Sequence, residues 1–220
     1  MNIDRLYIKG PNDADFVSVD DRFGLYLMWR TLTAPEPKTE YDDIPGMNGS
    51  LDSTEEFGEI FYYNRTLALD CKYPDKDWYK DHQAFMDAYH GKSVKIAFSN
   101  DPMYYWAGRL TVSEYVAKDH SFMMSAIVYP YKFKRALTKV SVSTENEATV
   151  KLKNGRMKVI PEVTVSGPVT LAWGEYTRAI SASSYPATVR IAGLELQEGS
   201  LDVTVTGNAS VTFSYREGAL

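Results

Sequence analysis

A chain of 220 residues, 44% hydrophobic and 13% aromatic, can bury a core as one large domain or two small ones. That content excludes a disordered chain, and no apolar run approaches the roughly 18 residues of a membrane-spanning helix. The formal net charge of −5 argues against general affinity for nucleic acid or anionic membrane. Cys71 is the only cysteine, which excludes a disulfide framework and a four-cysteine zinc site.

The opening Met1-Asn2-Ile3-Asp4-Arg5 lacks the basic-then-apolar pattern of a signal peptide, so no secretory leader is expected. Charge divides the chain. Residues 1–133 hold 14 Lys+Arg against 21 Asp+Glu, a net −7, while residues 134–220 hold 10 against 8, a net +2.

In chain order, strand patterns come first, at Phe16–Val19, Leu25–Trp29 and Leu67–Cys71. In the last, Leu67, Leu69 and Cys71 alternate with Ala68 and Asp70, the period of a half-buried strand. Between them, Thr33–Ser50 carries three prolines and two glycines among acidic residues and reads as a long loop, functional or disordered. Asp75–His90 changes period: Trp78, His82, Phe85 and Tyr89 share one helical face. Asp75 and Asp77 suit its N-terminal end and Gly91 its stop, so one helix over about 76–90 is expected, packed on a sheet. Strands resume at Val94–Phe98, then at Met103–Ala107 and Arg109–Ser113 with a hinge at Gly108. Phe122–Pro130 reads as a central strand.

From about Val140 the pattern is purely β. Val140/Val142, Val150/Leu152, Val163/Val165, Val169/Leu171, Val189/Ile191, Leu194/Leu196, Val203/Val205 and Val211/Phe213/Tyr215 alternate between turn signals such as Asn154-Gly155 and Gly207-Asn208. That spacing predicts a small β-sandwich. The expected boundary separates residues 1–135 from residues 136–220.

Chemistry is sparse. His82 and His90 lack partners at metal-ligand spacing, and His120 sits in a turn-like Lys118-Asp119-His120-Ser121. Cys71 reads as a small buried hydrophobe. Asp42-Asp43 and Glu55-Glu56 read as solvated loop charges, and no spacing singles out a glycosidase-like carboxylate pair. No glycine-rich phosphate loop or dinucleotide fingerprint is present. No catalytic, cofactor-binding or metal-binding residues are therefore assigned, and no cofactor is expected. Two aromatic groups are candidate binding strips. Met103-Tyr104-Tyr105-Trp106 reads as a strand covered on both faces. Trp173 and Tyr176 flank a Gly174-Glu175 hairpin turn, where Trp173 reads as a cap on the end of the sandwich, with stacking on a sugar as the alternative.

Five segments in order, Ile44–Asp52, Phe61–Leu67, the helix ending His90-Gly91-Lys92, Pro102–Arg109 and Phe122–Phe133, together resemble the distal tail protein (Dit) family of siphovirus-type phages and prophages. Ile44-Pro45-Gly46-Met47-Asn48-Gly49-Ser50-Leu51-Asp52 resembles the family's Pro-Gly-x-x-Gly-x-Leu-Asp loop, and Phe61-Tyr62-Tyr63-Asn64-Arg65-Thr66-Leu67 its Asn-Arg strand. The helix ending His90-Gly91-Lys92, the strand Pro102-Met103-Tyr104-Tyr105-Trp106-Ala107-Gly108-Arg109 and the run Phe122–Phe133 follow in family order. Asn154-Gly155, Val159-Ile160-Pro161 and Gly199–Leu220 resemble its small galectin-like sandwich.

The resemblance implies a mainly β protein. An N-terminal barrel-like, ring-forming domain with one helix would be followed by a galectin-like β-sandwich. It implies a structural, non-enzymatic virion protein of the tail tip, assembled in the host bacterial cytoplasm. Six copies would form a ring between the tail tube protein and the tail-associated lysin or hub, with receptor-binding proteins or fibres outside. DNA would pass through the lumen without sequence-specific binding, and no membrane insertion is implied. The alternative is a galectin-like carbohydrate-binding module that contributes to host recognition.

Overall fold

The computed structural model describes residues 4–56, 58–74, 78–116 and 118–220. The chain divides into two compact units, Met1–Pro130 and Tyr131–Leu220. The division expected from the sequence lies at 135/136. A short strand, Lys132–Lys134, pairs with Gly218–Ala219 and keeps that stretch with the second unit.

The first unit opens with β1 (Leu6–Lys9) and β2 (Val17–Ser18), then α1 (Val19–Phe23) and β3 (Tyr26–Leu32). A small hairpin, β4 (Tyr41–Asp42) and β5 (Leu51–Asp52), precedes β6 (Arg65–Lys72). Then come α2 (Trp78–Tyr89), β7 (Ser93–Phe98), β8 (Tyr104–Val116) and β9 (Ser121–Val128). The main sheet runs β2-β1-β7-β8-β9-β6-β3 with antiparallel neighbours. β9 lies between β8 and β6, the central position that its apolar run predicts. Phe122, Met124, Ala126 and Val128 point into the core, where Leu67, Leu69 and Cys71 of β6 meet them.

Helix α2 covers that core with Phe85 and Tyr89; Phe23 of α1 meets their rings edge-on at 5.4 and 5.8 Å. The expected acidic start at Asp75 and Asp77 lies outside the described residues. The stop is as expected: Gly91 takes φ +71°, a left-handed conformation that costs glycine little. α1 was not anticipated. Its signals are local: the Ser18 hydroxyl accepts from Asp21 N–H, Asp20 and Asp21 fill the first turn, and Gly24 ends it at φ 62°. Five residues are too few to show a helical period.

Gly108 is not a hinge. β8 runs unbroken through it, and a Cβ there would lie 2.2 Å from the Ile127 carbonyl oxygen. The glycine lets two backbones of neighbouring strands approach.

The second unit starts with the edge pair β10 (Lys132–Lys134) and closes with β19 (Gly218–Ala219). Between them lie β11 (Thr138–Thr144), β12 (Glu147–Asn154), β13 (Glu162–Val165), β14 (Val169–Trp173) and β15 (Tyr176–Ile180). β16 (Ala187–Arg190), β17 (Gly199–Gly207) and β18 (Ala209–Tyr215) complete it. Two four-stranded sheets, β11-β18-β13-β16 and β12-β17-β14-β15, enclose one core that includes Leu152, Val163, Leu171, Val205 and Phe213. This is the expected sandwich. Leu194 and Leu196, read as a strand, are buried, but the segment makes only an isolated bridge, Val159 to Leu196.

Candidate assembly and binding surfaces

The stretch read as an unstructured loop is an ordered extension. Its base is pinned where Thr33 N–H donates to Thr66 O at 3.0 Å and Arg65 Nε donates to Thr33 O at 2.7 Å. The Arg65 guanidinium is buried over the Trp106 ring, 4.8 Å from its centroid. The two legs then run side by side. Tyr63 N–H donates to Glu36 O at 2.9 Å, Lys38 N–H to Phe61 O at 2.8 Å, and Ser53 N–H to Glu40 O at 3.0 Å. The β4–β5 hairpin forms the far end, where the Asp42 and Asp43 carboxylates accept from Ser53 and Ser50 hydroxyls. Pro37 suits a leg whose ladder donors alternate, since Lys38 supplies the N–H that proline lacks.

Two properties set this arm apart. First, Tyr41, Ile44, Met47, Leu51, Phe61 and Tyr63 are each 45–59% exposed, and none belongs to the core cluster. Second, residues 33–64 hold eight acidic groups and one base, Lys38, a net −7. The rest of residues 1–133 balances at 13 of each sign. The acidity of the first half therefore belongs to the arm and not to the sheet.

A second exposed surface lies on the sheet face away from the core. A bulge in β3 leaves Met28 extra and turns Trp29 outward opposite Asp70, which pairs with Met123. Ile127, paired with Thr66 and Arg109, continues this face. Trp29, Met123 and Ile127 are all exposed there.

The residues weighed for chemistry take structural roles. The His82 ring meets Phe122 at 5.0 Å, Trp78 at 5.9 Å and Tyr73 at 6.0 Å, and its burial lowers its pKa. His90 Nδ1 accepts from Val112 N–H at 3.1 Å, and His120 stacks on Trp78. Cys71 is fully buried, and desolvation pushes its thiol pKa up, away from a reactive thiolate. Of the strip read as a covered strand, Tyr105 and Trp106 are buried, while Met103 is 60% exposed and precedes β8. Among the described residues, no group of three or more His, Cys, Asp and Glu side chains could hold a metal, and no helix is long and apolar enough to cross a membrane.

Trp173 is only 7% exposed and its Nε1 donates to Gly193 O at 3.1 Å, so its face is not a free platform. The exposed ring of the hairpin is Tyr176, at 64%, stacked on Trp173 with centroids 6.0 Å apart.

The chain thus joins a sheet-plus-helix unit with a projecting hairpin to a small β-sandwich, and a solved phage protein shares this fold. The particular likeness is to SPP1 Dit (gp 19.1), whose crystal structure is described as a paradigm of hub adsorption apparatus in phages infecting Gram-positive hosts. The TM-score is 0.65 at 13% identity, covering 98% of this chain and 99% of that one. The chain thus has a Dit-like fold. A chain of the phage P2 baseplate in its activated conformation with Ca aligns over 99% of both chains, with a TM-score of 0.44 and 8% identity. No family model matches the chain, and no curated protein matches it in sequence.

Proposed function

We propose that the chain is a structural, non-enzymatic component of a phage tail tip. Six copies close into a ring between the tail tube and the tail-associated hub, with receptor-binding components attached outside. The observation that carries this reading is the arm: an ordered extension with six exposed apolar side chains and no core of its own. Such surface asks for cover by another chain. An extension on one copy and an open sheet face on the next, around Trp29, Met123 and Ile127, give a head-to-tail contact of the kind that closes rings. The Dit-like fold supports the same reading.

Charge refines the idea of a conduit for DNA. The net −7 sits on the arm, so an acidic lumen requires the arm to border the hole. The alternative, a carbohydrate-binding module centred on Trp173, loses its platform to the burial of that ring.

The test is native mass by light scattering across concentration, with particles imaged from the same fractions. Wild-type protein is compared with a variant carrying Ile44→Ser, Met47→Ser and Leu51→Ser. Rings of six that the variant cannot form support the proposal. A strict monomer that also fails to bind purified tail-tube protein sinks it. Rings that form equally well without the three apolar side chains remove the arm from the contact.

A further inference from the structure

An edge strand of a sandwich should alternate between buried and exposed residues, and β15 does not. Its first four residues are all exposed and only Ile180 is buried. The register shows why this is unusual. Arg178 pairs directly with Leu171 and Tyr176 with Trp173, so both lie on the inner face of their sheet, beside buried partners. They stay exposed where the opposite sheet ends in the four-residue β16. The result is a groove of about 670 Å³ along the open side of the sandwich, bounded by β15 and by Val189–Gly193.

The groove has a definite chemical character. Tyr176 presents an aromatic shelf braced from behind by Trp173. Arg178 has no ion pair among the described residues, whereas Arg190, the second cation in the lining, is held by Glu162 at 2.7 Å. Thr177 and Ser181 add hydroxyls, and no acidic side chain lines the groove among the described residues. An aromatic face takes the C–H face of a sugar ring, and a free guanidinium takes a carboxylate or phosphate in a forked pair.

We propose that this groove binds an acidic saccharide chain, with Tyr176 stacking on a sugar ring and Arg178 pairing with its carboxylate or phosphate. The site is not the Trp173 platform considered above, and it does not depend on ring formation. The competing use of an inward-facing charge on an edge strand is to block pairing with another edge. That reading needs Arg178 but neither Tyr176 nor a ligand.

The experiment is calorimetric titration of the full chain with three probes: a galacturonic acid oligomer, a neutral glucose oligomer of equal length and a glycerol phosphate oligomer. Wild-type protein is compared with Arg178→Ala and Tyr176→Ala, both at exposed positions, with circular dichroism as the control for folding. Expected is binding of the acidic sugar, weakened about tenfold by Arg178→Ala and about fivefold by Tyr176→Ala, with the neutral oligomer bound far more weakly. No binding of any probe overturns the proposal. So does glycerol phosphate binding that Tyr176→Ala leaves unchanged, which marks an anion site without sugar recognition. Unchanged affinity in Arg178→Ala together with new self-association assigns the arginine to edge protection and also overturns it.

Discussion

The arm and the sheet from which it springs are built from the same kinds of side chain by opposite rules. In β6 and β9 the apolar residues alternate and bury themselves; Met124 is 1% exposed while its neighbour Met123 is 45% exposed. In the arm, main-chain bonds such as Lys38 to Phe61 hold the shape, and Tyr41, Leu51 and Phe61 remain in water. A strand pair in the core is stabilised from within. Ordered apolar surface without a core gains its burial only from another molecule. Stability and assembly should therefore be separable by mutation.

The sharpest break is within β9. Met124→Ala opens a cavity in the core and is expected to cost about 2–5 kcal/mol in urea unfolding. Met123→Ala, one residue away on the outward face, is expected to stay within about 0.5 kcal/mol. Equal losses would mean that the outward face is as structural as the core.

Gly108→Ala comes next. Its Cβ would collide with the Ile127 carbonyl, and neither strand can move without breaking ladder bonds on both sides. About 1–3 kcal/mol of destabilisation is expected, read as a lower urea midpoint. A silent substitution would restore the hinge that the sequence reading placed there.

Much of the fold was legible because burial leaves a period. Phe122, Met124, Ala126 and Val128 announce β9, and Phe85 and Tyr89 announce α2. The arm was legible as a long proline-rich stretch, not as two hydrogen-bonded legs. Its legs are joined by backbone groups across Glu36–Tyr63 and Lys38–Phe61, and backbone bonds impose no hydrophobic pattern. β15 was legible only through the Gly174-Glu175 hairpin turn that precedes it: Tyr176, Thr177, Arg178 and Ala179 are all exposed, so no buried–exposed alternation marks it. Gly108 was misread because a glycine for close approach and a glycine for bending look alike in one sequence. Trp173 was legible as a cap on the sandwich; its hydrogen bond to Gly193 O, twenty residues on, was not.

On the exposed side the effect should fall on association. Ile127→Asp places a charge on the outward face of β9, and Asp42→Ala with Asp43→Ala removes charge from the arm tip. All are at exposed positions, so monomer stability is expected to change by no more than about 0.5 kcal/mol. Ile127→Asp is expected to weaken any ring seen by light scattering, because it replaces an exposed apolar contact on this face with a charge that needs water. A ring that Ile127→Asp leaves unchanged would take this face out of the interface.

The smallest effect concerns pH and belongs to the core side. His82 is a base whose folded pKa lies below its ordinary value of 6.5, because burial among Tyr73, Trp78 and Phe122 disfavours the imidazolium. The unfolded chain therefore takes up this proton at higher pH than the folded one. The stability it contributes is complete above the unfolded value and is lost as pH falls through the folded value. Urea midpoints measured downward from pH 7.5 should decline below about pH 6.5. His82→Phe keeps a ring in the cluster and removes the titration, so its decline should be shallower than that of the wild type. His82→Ala should instead destabilise at every pH, since it empties a half-buried aromatic position. Identical pH profiles for wild type and His82→Phe would show that the proton is taken up elsewhere and leave His82 only its packing role.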